Sequence, residues 1–156
     1  MSRVLEAGDA APPFSLPADD GSTISLAGLR GKTVVLYFYP RDDTSGCTTE
    51  ACEIRDAWGD VKASGAVVLG VSPDPIASHV KFRRKYTLPF PLLADTDHRV
   101  AEAYGAWGEK SMYGRKYSGI LRSTFVIGTD GTIRHVFRKV RPRGHAAEIL
   151  ATLGPV

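Results

Sequence analysis

The chain holds only two cysteines, Cys47 and Cys52, five positions apart. Cysteine pairs serve three common chemistries: metal binding, dithiol exchange and nucleophilic attack by a thiolate. Zinc sites use four ligands, usually with C-x2-C spacing. Here the spacing is C-x4-C, and His79, His98, His135 and His145 are scattered along the sequence. No metal and no cofactor is therefore expected, and each histidine reads as a surface or internally satisfied residue. The C-x2-C spacing of dithiol redox pairs is absent as well. A thiolate nucleophile and an inert structural thiol are the readings that remain.

The element that must position these thiols is a helix, expected from about Cys47 to Lys62. At ~100° per residue, Ala51, Ile54, Trp58 and Val61 share one stripe, and Cys47 lies on it. Cys47 thus points into the protein from the first turn. Cys52 lies roughly 140° around the helix, on a flank near Arg55 and Asp56. Free backbone N–H groups and the positive end of the helix dipole favour a thiolate in a first turn. The position of Cys47 serves a nucleophile or an inert buried thiol equally well. Thr44 caps the helix, together with Ser45, or donates its hydroxyl to the thiolate or a bound oxygen. Pro40 ends the preceding strand or shields a pocket. Residues five apart on a helix have Cα atoms about 8–9 Å apart, whereas a disulfide needs them within ~7 Å. A bond between the two cysteines would require the first turns to unwind, and Gly46, Thr48 and Thr49 are poor helix formers.

The remaining pattern supplies the scaffold. Phe14 to Leu26 reads as two short extended pieces around the turn cluster Asp19-Asp20-Gly21-Ser22. Thr33 to Tyr39 and Ala66 to Ser72 read as buried strands, and Phe90 to Ala94 as a short one. Pro75 to Tyr86 reads as a helix with Pro75 in its first turn. Asp95-Thr96-Asp97 offers an N-cap for a helix over His98 to Tyr104. Ser123 to Ile127 and Ile133 to Phe137 flank Thr129-Asp130-Gly131 as a hairpin, and His145 to Leu153 closes as a helix. No element is assigned between Tyr104 and Ser123. Early crossovers imply parallel pairing and the late hairpin antiparallel pairing. The expected fold is α/β: a mixed central sheet flanked by helices, compatible with a thioredoxin-like fold.

Composition bounds the alternatives. With 156 residues, 43% hydrophobic and 24% charged, the chain has the make-up of one globular domain, expected over residues 1–156. Two cysteines exclude a disulfide-rich scaffold. No window approaches the ~18 apolar residues of a membrane span, and Met1 to Asp9 carries no signal-like run. A cytoplasmic protein without membrane contact is expected. Two basic clusters, Lys81 to Lys85 and Arg138 to Arg143, read as solvated faces or as a surface steering an acidic partner protein. No motif for nucleic-acid binding accompanies them.

The run Tyr39-Pro40-Arg41-Asp42-Asp43-Thr44-Ser45-Gly46-Cys47 resembles the active-site signature of peroxiredoxins, P-x3-T-x2-C. A second cysteine at Cys52 resembles the Q-type subgroup, also called bacterioferritin comigratory proteins. Gly8-Asp9-Ala10-Ala11-Pro12-Pro13-Phe14 resembles the family's opening. Ser111 to Tyr117 and Gly119 to Ile127, with Arg122-Ser123-Thr124-Phe125, resemble its later signature. The resemblance spans nearly the whole chain and implies a thioredoxin-like fold and a thioredoxin-dependent peroxidase. By it, Cys47 is the peroxidatic cysteine that becomes a sulfenic acid, and Cys52 resolves it to an intramolecular disulfide. Thr44 orients the peroxide, Pro40 shields the pocket, and Arg122 stabilises charge on sulfur and on the departing oxygen. Without the resemblance Arg122 reads as a strand-edge surface charge. Glu50 holds Arg122 or the loop, or is a solvated helix residue. The implied partners are hydrogen peroxide or an organic hydroperoxide, and thioredoxin or a similar dithiol reductant. The subgroup's habit implies a monomer or weak homodimer. The competing classes are a redox-regulated chaperone or peroxide sensor that passes oxidation to partner proteins, and a thioredoxin-like disulfide reductase.

Overall fold

The computed structural model describes residues 4–153; the part of the N-terminal reading that rests on residues 1–3 lies outside them. Two short strands, β1 (Ser15–Pro17) and β2 (Thr23–Ser25), form a hairpin, followed by a 3-10 turn at Ala27–Leu29. Strand β3 (Val34–Phe38) leads through a loop to α1 (Ser45–Asp56) and α2 (Trp58–Ala63). Next come β4 (Val67–Ser72), α3 (Ile76–Tyr86), β5 (Leu92–Ala94) and α4 (Arg99–Ala103). The chain continues with β6 (Trp107–Met112), β7 (Arg115–Ile120), β8 (Ser123–Ile127), β9 (Ile133–Arg138) and α5 (His145–Leu153).

Five strands make the central sheet, in the order β5-β4-β3-β8-β9. β3, β4 and β5 are parallel, and β8 and β9 are antiparallel to their neighbours. This is the expected mixed sheet. The run Val34-Val35-Leu36-Tyr37-Phe38 is almost completely buried, because β3 lies at the centre with both faces covered. Alternate residues enter opposite cores. Val34, Leu36 and Phe38 pack with Val100, Ala101 and Tyr104 of the α4 region. Val35, Tyr37 and Tyr39 pack with Cys47, Ala51 and Ile54 of α1, Phe82 of α3, and Ile149 of α5. Burying each such side chain stabilises the fold by roughly 1.5–3 kcal/mol. No helix among the described residues is long and apolar enough to cross a membrane.

Four expectations change. The N-cap of α4 is His98, at φ 50°, while the Asp95 carboxylate accepts the Val100 and Ala101 N–H groups from outside the cap position. The single helix expected from Cys47 to Lys62 starts at Ser45 and breaks at Ala57, where φ is −94° and ψ is 10°. The Ala57 N–H reaches both the Glu53 and Arg55 carbonyls, and the second segment sets Trp58 against Phe90, ring centroids 6.0 Å apart. Pro75 is the N-cap of α3, with ψ at 164°, and lies outside its first turn. The unassigned stretch after Tyr104 holds a hairpin, β6 paired with β7 from Trp107↔Ile120 to Met112↔Arg115. Tyr113 and Gly114 turn it with φ of 53° and 78°, the positive pair a two-residue hairpin turn requires. Most of its residues are solvent-exposed, so the sequence lacks the alternation that marks a half-buried strand.

Candidate active site

The loop from β3 to α1 emerges at the carboxyl end of the central strand and carries Pro40 and Thr44. Cys47, Ala51, Ile54 and Val61 are all buried, so the helical stripe faces inward as its spacing demands. Cys47 is 1% exposed. It sits in the first turn of α1, where Thr48 N–H is the first to bond back, to the Thr44 carbonyl at 2.8 Å. The earlier N–H groups have no partner within the helix.

Sheet register brings Arg122 to this sulfur from 75 residues away. β3 and β8 are antiparallel with Phe38 opposite Ser123. The residue before β8 therefore lies beside the residue that follows β3. The Arg122 guanidinium donates from Nη2 to Cys47 Sγ at 3.2 Å and from Nη1 to Glu50 Oε1 at 2.7 Å. Its path runs against Gly46, where a Cβ would stand 3.3 Å from Nη2. Glu50 lies one turn after Cys47 on the same side and is 1% exposed. Burial pushes its carboxyl up to about 7, with Arg122 opposing, and its Oε2 has no hydrogen-bond partner. Of the two readings of Glu50, the structure has the one that holds Arg122. The strand-edge surface reading of Arg122 is replaced by a largely buried cation forked between sulfur and carboxylate.

Thr44 holds the N-cap position, with φ −89° and ψ 158°, yet its hydroxyl makes no cap bond. It donates instead to the Arg41 carbonyl at 2.9 Å. Pro40 is half-buried and follows the fully buried Tyr39. Cys52 is half-buried and unbonded to Cys47, as an intact helix requires. Burial pushes the Cys52 thiol up, with Arg55 opposing. Cys47 and Arg122 thus meet at the start of α1, three residues after Thr44, whose hydroxyl turns to Arg41, while Cys52 is near Arg55 and Asp56.

Sequence reasoning missed the anchoring of that loop. Asp42, Asp74 and His79 bring polar atoms within 4.8 Å of one another, and His79 is the internally satisfied kind of histidine. Its ring atoms are engaged by Asp42 and the Leu93 carbonyl. The available signal was position: His79 shares the inward stripe of α3 with Phe82, and a polar residue on a buried face needs a partner. His145 is likewise buried and bonded to Thr124 at 2.7 Å. Tyr39 and Phe90 are core residues, and Trp107 stacks on His98 at 3.7 Å between centroids. In the first basic cluster Phe82 is buried, Arg83 binds Asp19 and Lys85 binds Asp43. Lys81, Arg84 and Lys85 are exposed, as a solvated helix face requires.

Comparison with known proteins assigns this geometry to a family. The AhpC/TSA family profile matches residues 7–136. Peroxiredoxin Bcp of Bacillus subtilis (strain 168) is 47% identical over 149 residues, covering 96% of this chain and 95% of its own. Peroxiredoxin Bcp of Escherichia coli (strain K12) is 45% identical over 146 residues, covering 94% of each chain. Among solved structures, the Xanthomonas campestris bacterioferritin comigratory protein, studied for alkyl peroxide reduction, superposes with a TM-score of 0.88 at 36% identity. It covers 95% of this chain and 97% of that one. A cysteine-to-serine mutant of Xylella fastidiosa PrxQ gives 0.90 at 35% identity, over 98% and 97% of the two chains. A thioredoxin-like sheet, a thiol buried under an arginine and kinship along almost the whole length lead to one conclusion: the chain belongs to the peroxiredoxins, in their Bcp or Q-type group, and is a peroxidase.

Proposed function

We propose that this chain, as one domain, reduces hydrogen peroxide and organic hydroperoxides by a cycle in which Cys47 attacks and Cys52 resolves. The observation that carries the reading is the 3.2 Å contact between Arg122 Nη2 and the buried Cys47 sulfur at the start of α1. The Cys47 thiolate attacks one peroxide oxygen. The O–O bond breaks, its electron pair leaves with the other oxygen as water or alcohol after protonation, and sulfur becomes a sulfenic acid. Arg122 and the free N–H groups of the first turn of α1 supply positive charge where negative charge grows. The Thr44 hydroxyl orients the peroxide, and Pro40 shields the thiolate from water. The Cys52 thiol then displaces the sulfenic hydroxyl, forming an S–S bond and releasing water. Closure needs the early turns of α1 to open, because five-residue spacing on a helix exceeds disulfide reach. Thioredoxin or a similar dithiol protein restores the pair and becomes oxidised in turn.

Steady-state peroxide consumption coupled to thioredoxin tests the cycle. Cys47→Ser is expected to abolish turnover. Cys52→Ser is expected to oxidise once, at wild-type rate, and then stall. Undiminished turnover in Cys47→Ser would refute the reading, and undiminished turnover in Cys52→Ser would remove Cys52 from it.

A further inference from the structure

The loop that carries Pro40 and Thr44 has little regular secondary structure of its own, yet peroxide orientation depends on its shape. Two adjacent carboxylates fasten it, and both turn towards α3. Asp43 takes a left-handed conformation, φ 59°, which costs a non-glycine residue about 1–2 kcal/mol. Its carboxylate accepts from Lys85 Nζ and Tyr86 Oη, each at 2.8 Å. Those contacts are exposed, where an ion pair stabilises little.

Asp42 is different, because it is buried. Its Oδ1 accepts the Tyr39 hydroxyl at 2.6 Å, and its Oδ2 accepts the Ser78 hydroxyl at 2.7 Å. His79 Nδ1 lies 2.7 Å from the same Oδ2. His79 Nε2 is 2.9 Å from the Leu93 carbonyl. A carbonyl only accepts, so Nε2 donates to it, and Nδ1 faces the Asp42 carboxylate. The backbone completes the link. Asp42 N–H donates to Asp74 Oδ2 at 2.7 Å, and Asp74 is held in turn by the Ser72 hydroxyl at 2.7 Å. That N–H belongs to the same planar peptide unit as the Arg41 carbonyl. The Arg41 carbonyl is the acceptor of the Thr44 hydroxyl. Pinning Asp42 at its side chain and its N–H therefore sets the plane on which Thr44 hangs.

We propose that the buried His79–Asp42 pair is the positioning device of the peroxide site: through the Arg41–Asp42 peptide it aims the Thr44 hydroxyl that orients peroxide at Cys47. The inference rests on the roles given above to Cys47 and Thr44. His79 and Asp42 touch neither sulfur nor substrate and act through Thr44. Breaking the pair leaves a polar group buried without its partner, and the loop relaxes to satisfy it.

Two rates at Cys47 separate positioning from general damage. Oxidation by hydrogen peroxide, followed by stopped flow, needs an oriented peroxide. Alkylation by iodoacetamide needs a thiolate and local opening over the buried sulfur, but no oriented peroxide. In Asp42→Asn and His79→Ala the oxidation rate constant is expected to fall about 10- to 100-fold, the scale of an ångström-sized misplacement. Alkylation should stay within about threefold. His79→Asn, whose amide N–H can stand in for the ring donor towards Asp42, should recover part of the loss. Where a variant fails to fold, Tyr39→Phe and Ser78→Ala each remove one donor and leave the pair. They should lower the same ratio of rates by a smaller factor. Wild-type oxidation rates, or parallel falls in both rates across the set, would overturn the proposal while leaving the cycle intact. Failure of peroxide to oxidise Cys47 in the unaltered protein would overturn both.

Discussion

Replacing Arg122 by methionine keeps the length and apolar stem of the side chain and removes its charge and its fork. The contact at risk is the 3.2 Å approach of Nη2 to Cys47 Sγ. Unit charges at that separation interact by about 5 kcal/mol at an effective dielectric of ~20. Glu50, at 2.7 Å from Nη1, offsets part of this when ionised. Losing one preorganised donor at a site of developing charge typically costs about 3–4 kcal/mol, or 10²- to 10³-fold in rate. The oxidation rate constant of Arg122→Met with hydrogen peroxide is therefore expected to fall on the order of 10²- to 10³-fold. Arg122→Lys keeps a charge, but one ammonium cannot span Sγ and Oε1 as the planar fork does, so it should fall in between. In the methionine variant Glu50 loses the cation that holds its carboxyl down and retains its proton more firmly. This limits the damage to folding. Stopped-flow oxidation, with the sulfenic acid trapped by dimedone and weighed intact, measures the effect. A folded Arg122→Met variant within threefold of wild type would refute the charge argument. A lysine variant slower than methionine would refute the role of charge in particular.

Two further outcomes follow from the same geometry. Glu50 has its carboxyl raised from 4.5 to about 7 by burial. Its contribution to stability is thus fully present below about 4.5 and lost as pH rises through 7. Urea denaturation should therefore show wild type losing stability relative to Glu50→Gln between those pH values, by on the order of 2–3 kcal/mol; a pH-independent difference would show that Glu50 titrates normally. Gly70 of β4 lies under the Tyr37 ring, where an added Cβ would stand 2.9 Å from Tyr37 Cζ, Tyr37 Oη and Leu92 Cδ2. Gly70→Ala should cost about 1–3 kcal/mol by overpacking, read as a lower urea midpoint with unchanged slope; an unshifted midpoint would mean that the Tyr37 ring yields freely.

Much of the site was legible because its signals are local. A β-branched and aromatic run, a proline, a polar loop and a helical stripe through Cys47 place the thiol inward at a helix start. Each of those steps depends on residues within a few positions. The resemblance to peroxiredoxins added Arg122, which spacing alone would have left on a strand edge. The β6–β7 hairpin was illegible for the opposite reason. With both faces largely in solvent, its composition carries no alternation to read. The break at Ala57 and the diverted Thr44 hydroxyl were also out of reach, since each follows from packing and loop geometry and not from residue type.

Periodicity and spacing along one element were enough to place Cys47 inward at a helix start and to show the conflict between helical geometry and a Cys47–Cys52 bond; the nucleophile's role came from the resemblance to peroxiredoxins. The groups around the sulfur come from long-range packing. Antiparallel register of β8 on β3 brings Arg122 to Cys47, and burial of α1 turns Glu50 into the partner of that arginine. Docking of α3 beside the loop brings His79 to Asp42, 37 residues earlier. Contacts between residues so far apart in sequence depend on sheet order and packing, which no local pattern encodes.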